Sequence, residues 1–373
     1  MKFWENIKFL FLSRGPGETG QARAMATYIK SKGGEILFAL NEKKCLSFLA
    51  QDRDFKISLI QDPQELKKII ESQKPDVFLI FNSKMWTGYD EFSDHPPFLK
   101  PPISFTVDSN WLFNEKKYPS YRFIKWVDKH LVLFPKKIFE LGLKEKGGSF
   151  EIEKSILKKI IPVGFIPSYK KPSFKNCLEV RKKYGIKKDE KFIFSYFSGF
   201  GAGHKVWAFE NFIKAAEKLI KKGRKIKAIY VGPTEDLDQT NLKKDWLIIK
   251  EKMSARDFFL TLASSDLVFQ HQGMVTLAQS ISCQIPVIAN VSLLKGKEPI
   301  SRLHFWEVSP FQRAGVCEMF SKSTSIIKIG QKIEELLYNS KVRKKMQINQ
   351  KLIWENGEKK ASKIIKNLIK EKI

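Results

Sequence analysis

The stretch from Asp266 to Val291, DLVFQHQGMVTLAQSISCQIPVIANV, limits the possible folds more than any other. It opens on a short apolar run, Leu267-Val268-Phe269, and turns through His271-Gln272-Gly273. Residues 274–283 then carry helical spacing, with Leu277 and Ile281 four apart, and Pro286 introduces a second apolar run, Val287-Ile288-Ala289. Strand, glycine turn, helix and strand make a βαβ unit. The first turn of such a helix has backbone N–H groups with no partner inside the helix. They point at whatever lies above the turn, an arrangement that suits a phosphate.

The rest of the chain repeats this alternation. Residues 7–12 read as a buried strand, 13–21 as a glycine-rich loop and 22–32 as a helix, followed by a strand at 36–40. Further strands are expected at 57–60, 75–81, 103–107 and 130–134, with helices at 63–72 (Asp62 as N-cap) and 121–128. Residues 135–159 are rich in Lys and Glu and show no clear period. Prolines from Pro162 to Pro172 mark a linker. Beyond it, strands at 192–197, 227–231 and 247–249 alternate with helices at 177–184, 207–222 and 255–263. Residues 292–314 read as irregular, and helices at 326–338, 341–354 and 358–373 close the chain. At 373 residues the chain exceeds the usual size of one core. The expectation is α/β, with two doubly wound Rossmann-like domains facing across a cleft. The first spans 1–165, a linker 166–176 and the second 177–355; a final helix, 356–373, would pack back on the first domain.

Composition bounds the partners. A net charge of +27, from 67 Lys and Arg against 40 Asp and Glu, favours polyanions: phosphorylated substrates, an anionic membrane face or nucleic acid. The lysines are spread along the chain and no nucleic-acid-binding motif is present, so no specific nucleic-acid partner is expected. Cys45, Cys177, Cys283 and Cys317 match no zinc spacing, and Cys283 reads as a small buried apolar residue. No run approaches the ~20 apolar residues of a membrane span, and no signal peptide is visible. A cytoplasmic protein is expected, with peripheral contact at the inner membrane face left open. Residues 361–373 place Ile364, Ile365, Leu368 and Ile369 on one side of a helix, a face for either anionic lipid or the first domain.

Read together, His271-Gln272-Gly273-Met274-Val275-Thr276, then Gln279, Ser282 and Ile285-Pro286-Val287-Ile288, resemble the nucleotide-sugar motif of GT-B glycosyltransferases. The nearest family by this resemblance contains the peptidoglycan UDP-N-acetylglucosamine transferase, of glycosyltransferase family 28 type. Gly15, Gly17, Thr19, Gly20 and Gln21 resemble its acceptor-side loop. Gly199, Gly201 and Gly203 resemble its phosphate-side loop, and Pro162-Val163-Gly164-Phe165 the stretch entering its linker. The resemblance implies that His271, Gly273, Met274, Val275, Thr276 and Gln279 bind a nucleotide sugar. It seats the base near Met253. Three glutamines depart from the pattern. Gln279 replaces an acid on the ribose, Gln284 a helix-ending glycine, and Gln21 the loop histidine proposed as base.

The activity implied is an inverting, metal-independent transfer from a nucleotide sugar, UDP-linked, to a glycan or lipid-linked acceptor. It uses the donor as substrate and needs no cofactor. Such a transfer needs a base at the acceptor hydroxyl and stabilisation of the departing diphosphate. Glutamine is no general base, which leaves Asp108, at a strand end, as the alternative, with His95 and Glu18 behind it. Asp108 serves equally well as a helix cap. Two other readings stay open: a weakened GT-B protein that binds without turnover, and a sugar-nucleotide 2-epimerase.

Overall fold

The computed structural model describes residues 3–49, 54–81, 103–108, 126–144, 154–197, 202–271, 273–291 and 299–372. The chain divides into two compact units, Met1–Ser168 with Glu355–Ile373, and Tyr169–Trp354.

In the first unit β1 (Lys8–Ser13), α1 (Pro16–Lys30) and β2 (Glu35–Leu40) are followed by a short helix α2 (Leu46–Leu49), β3 (Lys56–Leu59), α3 (Pro63–Gln73) and β4 (Val77–Phe81). Then come β5 (Ile103–Asp108), β6 (Lys129–Val132), α4 (Lys136–Leu143), α5 (Lys154–Leu157) and β7 (Ile160–Pro162). The seven strands are all parallel, in the order β3-β2-β1-β4-β5-β6-β7. Such a sheet is covered on both faces, so its strands are apolar throughout. All five side chains of β4 are buried, and Phe11 stacks between Phe38 (5.2 Å) and Phe81 (6.0 Å). Each such fully buried phenylalanine contributes about 1.5–3 kcal/mol. The C-terminal helix, Gly357–Lys372, belongs to this core through Ile365 and Ile369. That buries the face considered above for lipid. Its entry is a close backbone crossing: Phe165 N donates to Glu355 O (3.2 Å) and Gly357 N to Phe165 O (2.9 Å). Gly164 sits there at φ +96°, and a Cβ on it would lie 2.7 Å from the Glu355 carbonyl, so only glycine fits.

The second unit begins with α6 (Phe174–Lys183), β8 (Lys191–Tyr196), α7 (Ala202–Lys221), β9 (Ile226–Val231), α8 (Gln239–Leu242), β10 (Leu247–Lys250) and α9 (Ala255–Ala263). It continues with β11 (Leu267–His271), α10 (Met274–Cys283), β12 (Val287–Val291), α11 (Pro299–Arg313), β13 (Glu318–Ser321), α12 (Ile326–Tyr338) and α13 (Ser340–Ile353). Its six strands are parallel in the order β10-β9-β8-β11-β12-β13. Both sheets reverse strand order once, between β1 and β4 and between β8 and β11. In open sheets of this kind ligands bind outside the strand carboxyl ends at that reversal.

Four expectations need correction. The segment from Pro16 to Gln21 is the start of α1 and not a loop. Gly20 is required there by packing, since a Cβ would lie 2.5 Å from Ser168 Oγ. Residues 299–313 form α11, with Pro310 inside it, where an irregular segment was expected. Strand β13 has only four residues and begins on Glu318, too short and polar to stand out. Residues 136–143 form α4 inside the Lys/Glu-rich region. The helix expected at 121–128 lies mostly outside the described residues.

Candidate functional site

At the carboxyl end of β11 the chain passes from His271 to Gly273, the N-cap of α10. No side chain caps this helix and its first turn holds no acid. The amides of Met274, Val275 and Thr276 therefore present a positive helix end, worth about 0.3–1 kcal/mol to an exposed anion and up to about 2 when partly buried. A Cβ built on Gly273 would find Thr276 Oγ1 as its nearest neighbour, at 3.9 Å. Among the described residues that space is open. Gln279, one turn further, is 5% exposed and Thr276 is 6% exposed. Gln284 ends the helix in the left-handed region (φ 59°, ψ 38°), the conformation expected at this glycine position.

Polar side chains collect beneath this turn. His271 pairs in register with Asn290 of β12, so both point to the same face of the sheet. Asn290 is fully buried, and neither its Oδ1 nor its Nδ2 has a hydrogen-bond partner. Ser195, on the same face of β8 and one pair lower, is buried with its hydroxyl unpartnered. Gln270, on the opposite face, donates to Gly273 O at 3.4 Å and leaves Oε1 unpartnered. Each unpartnered buried polar group costs about 1–3 kcal/mol. These unpartnered groups are concentrated at the strand-end turn.

Of the other nucleotide-side residues, Gly199, Gly201 and Gln272 lie outside the described residues. Gly203 falls in the first turn of α7. Met253 is half-buried in the turn between β10 and α9, just before Ser254, whose side chain caps α9 through Asp257 N.

The turn after β1, on the other strand of the reversal in the first unit, has different chemistry. Gly15 is the N-cap of α1 at φ 89°, and Gly17, Thr19, Gly20 and Gln21 are helical. Thr19 Oγ1 donates to Gly15 O (2.8 Å) and shares a hydrogen bond with Ser13 Oγ (2.9 Å). Glu18 folds back over the N-cap, with Oε2 2.8 Å from where a Gly15 Cβ would stand. Burial, reinforced by the negative charges of Asp108 and Glu42, pushes the Glu18 carboxyl up to about 7. Glu18 is only half-buried as a residue, but its carboxyl is lodged against the protein. Gln21 is 1% exposed and neither end of its carboxamide has a partner.

Asp108 is the last residue of β5 and is 1% exposed. Its Oδ2 lies 3.8 Å from His130 Nδ1, which also shares a 2.6 Å hydrogen bond with Thr106 Oγ1. His130, fully buried, carries no signal in the sequence because it stands in an apolar strand. Asp108 and His130 thus form an acid–base pair in this unit, with Glu18 near enough to feel the Asp108 charge, while His95 lies outside the described residues.

No protein-family model matches the chain, and no curated protein matches it in sequence. Solved structures do. The S. aureus MnaA–UDP co-structure is 15% identical, covering 98% of this chain and 97% of that one, with a TM-score of 0.68. A glycosyltransferase from Rickettsia africae is 13% identical over 98% of this chain and 99% of its own, with a TM-score of 0.63. A protein assigned as a UDP-N-acetylglucosamine 2-epimerase, from Listeria monocytogenes, is 12% identical over 91% and 90%, with a TM-score of 0.60. Together with the two parallel sheets, these likenesses identify the GT-B fold.

Proposed function

We propose that the protein transfers a sugar from a nucleotide-sugar donor, UDP-linked, with the donor diphosphate bound at the start of α10. The observation that carries this reading is the uncapped, acid-free helix end after His271 and Gly273, set over the unpartnered Asn290. Backbone amides and the Thr276 hydroxyl would hold the diphosphate as negative charge builds up on it, which is where transfer needs stabilisation. Asn290 and His271 would meet polar groups of the donor, and Gln279 the ribose hydroxyls. The UDP named for MnaA supports the choice of nucleotide. A residue that extracts a proton from the acceptor hydroxyl is needed as well. Gln21 has no basic group, so we assign that role to Asp108, with His130 beside it to accept or return the proton. The acceptor would be a glycan or a lipid-linked glycan. The test is calorimetric titration with UDP and UDP-sugars, followed by UDP release with candidate acceptors. An absence of nucleotide binding would sink the reading. Asn290→Leu should bind UDP-sugar more weakly while leaving the free protein at least as stable, because it removes an unpartnered buried amide.

A second reading rests on the clustering of Glu18, Asp108 and His130, which supplies several acid–base groups in one unit, and on the likeness to an epimerase. An epimerase would invert one carbon of the nucleotide sugar. That requires removing and returning a proton, so deuterium from heavy water would enter the sugar without an acceptor. Transfer without such exchange supports the first reading; exchange without an acceptor supports the second. Binding with neither would leave a GT-B protein that holds its ligand without turnover.

A further inference from the structure

Among the described residues, four of the five large apolar side chains left exposed in the second unit lie on two helices, the fifth being Ile327 (62%) on α12. Phe174 (78% exposed) and Leu178 (49%) lie on α6, and Ile348 (57%) and Leu352 (75%) on α13. Each pair is four residues apart, so each forms a stripe along one helical face. Single exposed apolar residues such as Leu59 need no explanation, but two paired stripes in one region do.

Both helices lie at the edge where the strands of this unit begin. Arg181 of α6 donates to Ser264 O (3.2 Å), Glu190 O (2.9 Å) and Asp266 Oδ2 (3.1 Å), which precede β8 and β11. Gln350 of α13 donates to Ile285 O (2.9 Å) and Val316 O (3.0 Å), which precede β12 and β13. The two meet at Gln284, whose side-chain oxygen accepts from Lys171 (3.4 Å) just before α6 and whose carbonyl accepts from Gln347 (2.9 Å) of α13. The charge there is mostly positive, Glu179 on α6 being the one exposed acid on the two helices. Helix α13 contains no acid, and Lys341, Lys344, Lys345 and Lys351 are exposed along it; on α6, Lys175 and Lys182 flank the apolar stripe.

We infer that this edge of the second unit, α6 together with α13, docks on an anionic membrane surface. Its aliphatic and aromatic side chains enter the headgroup layer and its lysines meet lipid phosphates. A protein partner fits less well, because lysine is depleted from protein interface cores, whereas a lipid surface takes lysine and apolar groups side by side. A second copy of the chain would bring like charge against like. The C-terminal helix has the same kind of amphipathic sequence, but its Ile365 and Ile369 are already buried in the first unit.

The test is co-sedimentation of the full chain with phosphatidylcholine vesicles, with and without phosphatidylglycerol. Three variants accompany it, all at exposed positions: Ile348→Ser with Leu352→Ser, Lys344→Glu with Lys345→Glu, and the control Lys68→Glu on α3. The protein should bind only the anionic vesicles, less so as salt rises. Either double variant should weaken binding by about tenfold or more, each lysine being worth roughly fivefold, while Lys68→Glu changes it by less than about twofold. Thermal melts like that of the parent chain would show that folding is intact. The inference is overturned by an absence of vesicle binding, by equal weakening in Lys68→Glu, or by Leu352→Ser dissociating a dimer that ignores vesicles.

Discussion

The helix starts of α1 and α10 are built alike but differ in chemistry. Each follows the carboxyl end of a strand next to its sheet's reversal point, and each has a glycine N-cap whose end no N-cap side chain covers. The third helical residue separates them: Glu18 in α1 and Thr276 in α10. An anion approaching α1 meets a carboxyl already folded over Gly15, held against its own backbone N–H. An anion approaching α10 meets amides and a hydroxyl. A glycine turn at a strand end is therefore not enough to make a phosphate site; the residue one turn in decides whether the helix end is free or taken.

The comparison can be broken most directly by exchanging that residue. Thr276→Glu would bring a carboxylate to the start of α10, and like charge against a diphosphate should lower UDP affinity on the order of 100-fold or more in calorimetric titration. If UDP binding is unchanged, the diphosphate lies elsewhere.

The next effect concerns α1. The Glu18 carboxyl stands at about 7 in the folded chain against 4.5 for the free group, so the folded state binds more protons in between. Stability contributed by the protonated form is complete below about pH 4.5 and is lost as pH rises through about 7. Glu18→Gln should remove that dependence and, at pH 8, raise stability on the order of 2 kcal/mol, read from denaturant melts across pH. A parent chain whose stability is flat across this window would contradict the burial of Glu18. Gln21→Met, which removes a buried amide without partners one turn further along α1, should stabilise by about 1–2 kcal/mol. The smallest effect is at the far end of α10. Gln284→Gly relieves a left-handed side-chain residue and should gain roughly 0.5–1 kcal/mol, seen as a small rise in Tm.

Much of this was legible in the sequence, and the gaps have physical causes. The period of apolar residues placed α10 at Met274–Cys283, and the resemblance to the nucleotide-sugar motif placed the left-handed stop at Gln284. It placed the Asp62 cap of α3, whose side chain accepts from Glu65 N. Local rules failed where tertiary contacts decide. Gly17 and Gly20 read as loop residues because glycine breaks helices in isolation, yet Gly20 is needed to pass Ser168. Asp108 could be suspected from its strand end. Glu18 ranked lower because its raised carboxyl depends on burial and on Asp108, which is distant in sequence. His130 was hidden in an apolar strand, and only the pairing of β5 with β6 sets it against Thr106.

The central claim is that the start of α10 binds the donor diphosphate and the start of α1 does not. The most direct measurement is UDP titration calorimetry on the parent chain, Gly273→Val and Glu18→Gln. Among the described residues a Cβ at Gly273 meets no clash, so a valine there should cost only the poorer N-cap, about 1 kcal/mol and a fall in Tm of about 2–4 °C, while lowering UDP affinity at least about tenfold. Glu18→Gln should leave that affinity within about twofold. UDP binding that is indifferent to Gly273→Val but altered by Glu18→Gln would place the diphosphate at the wrong helix and contradict the account.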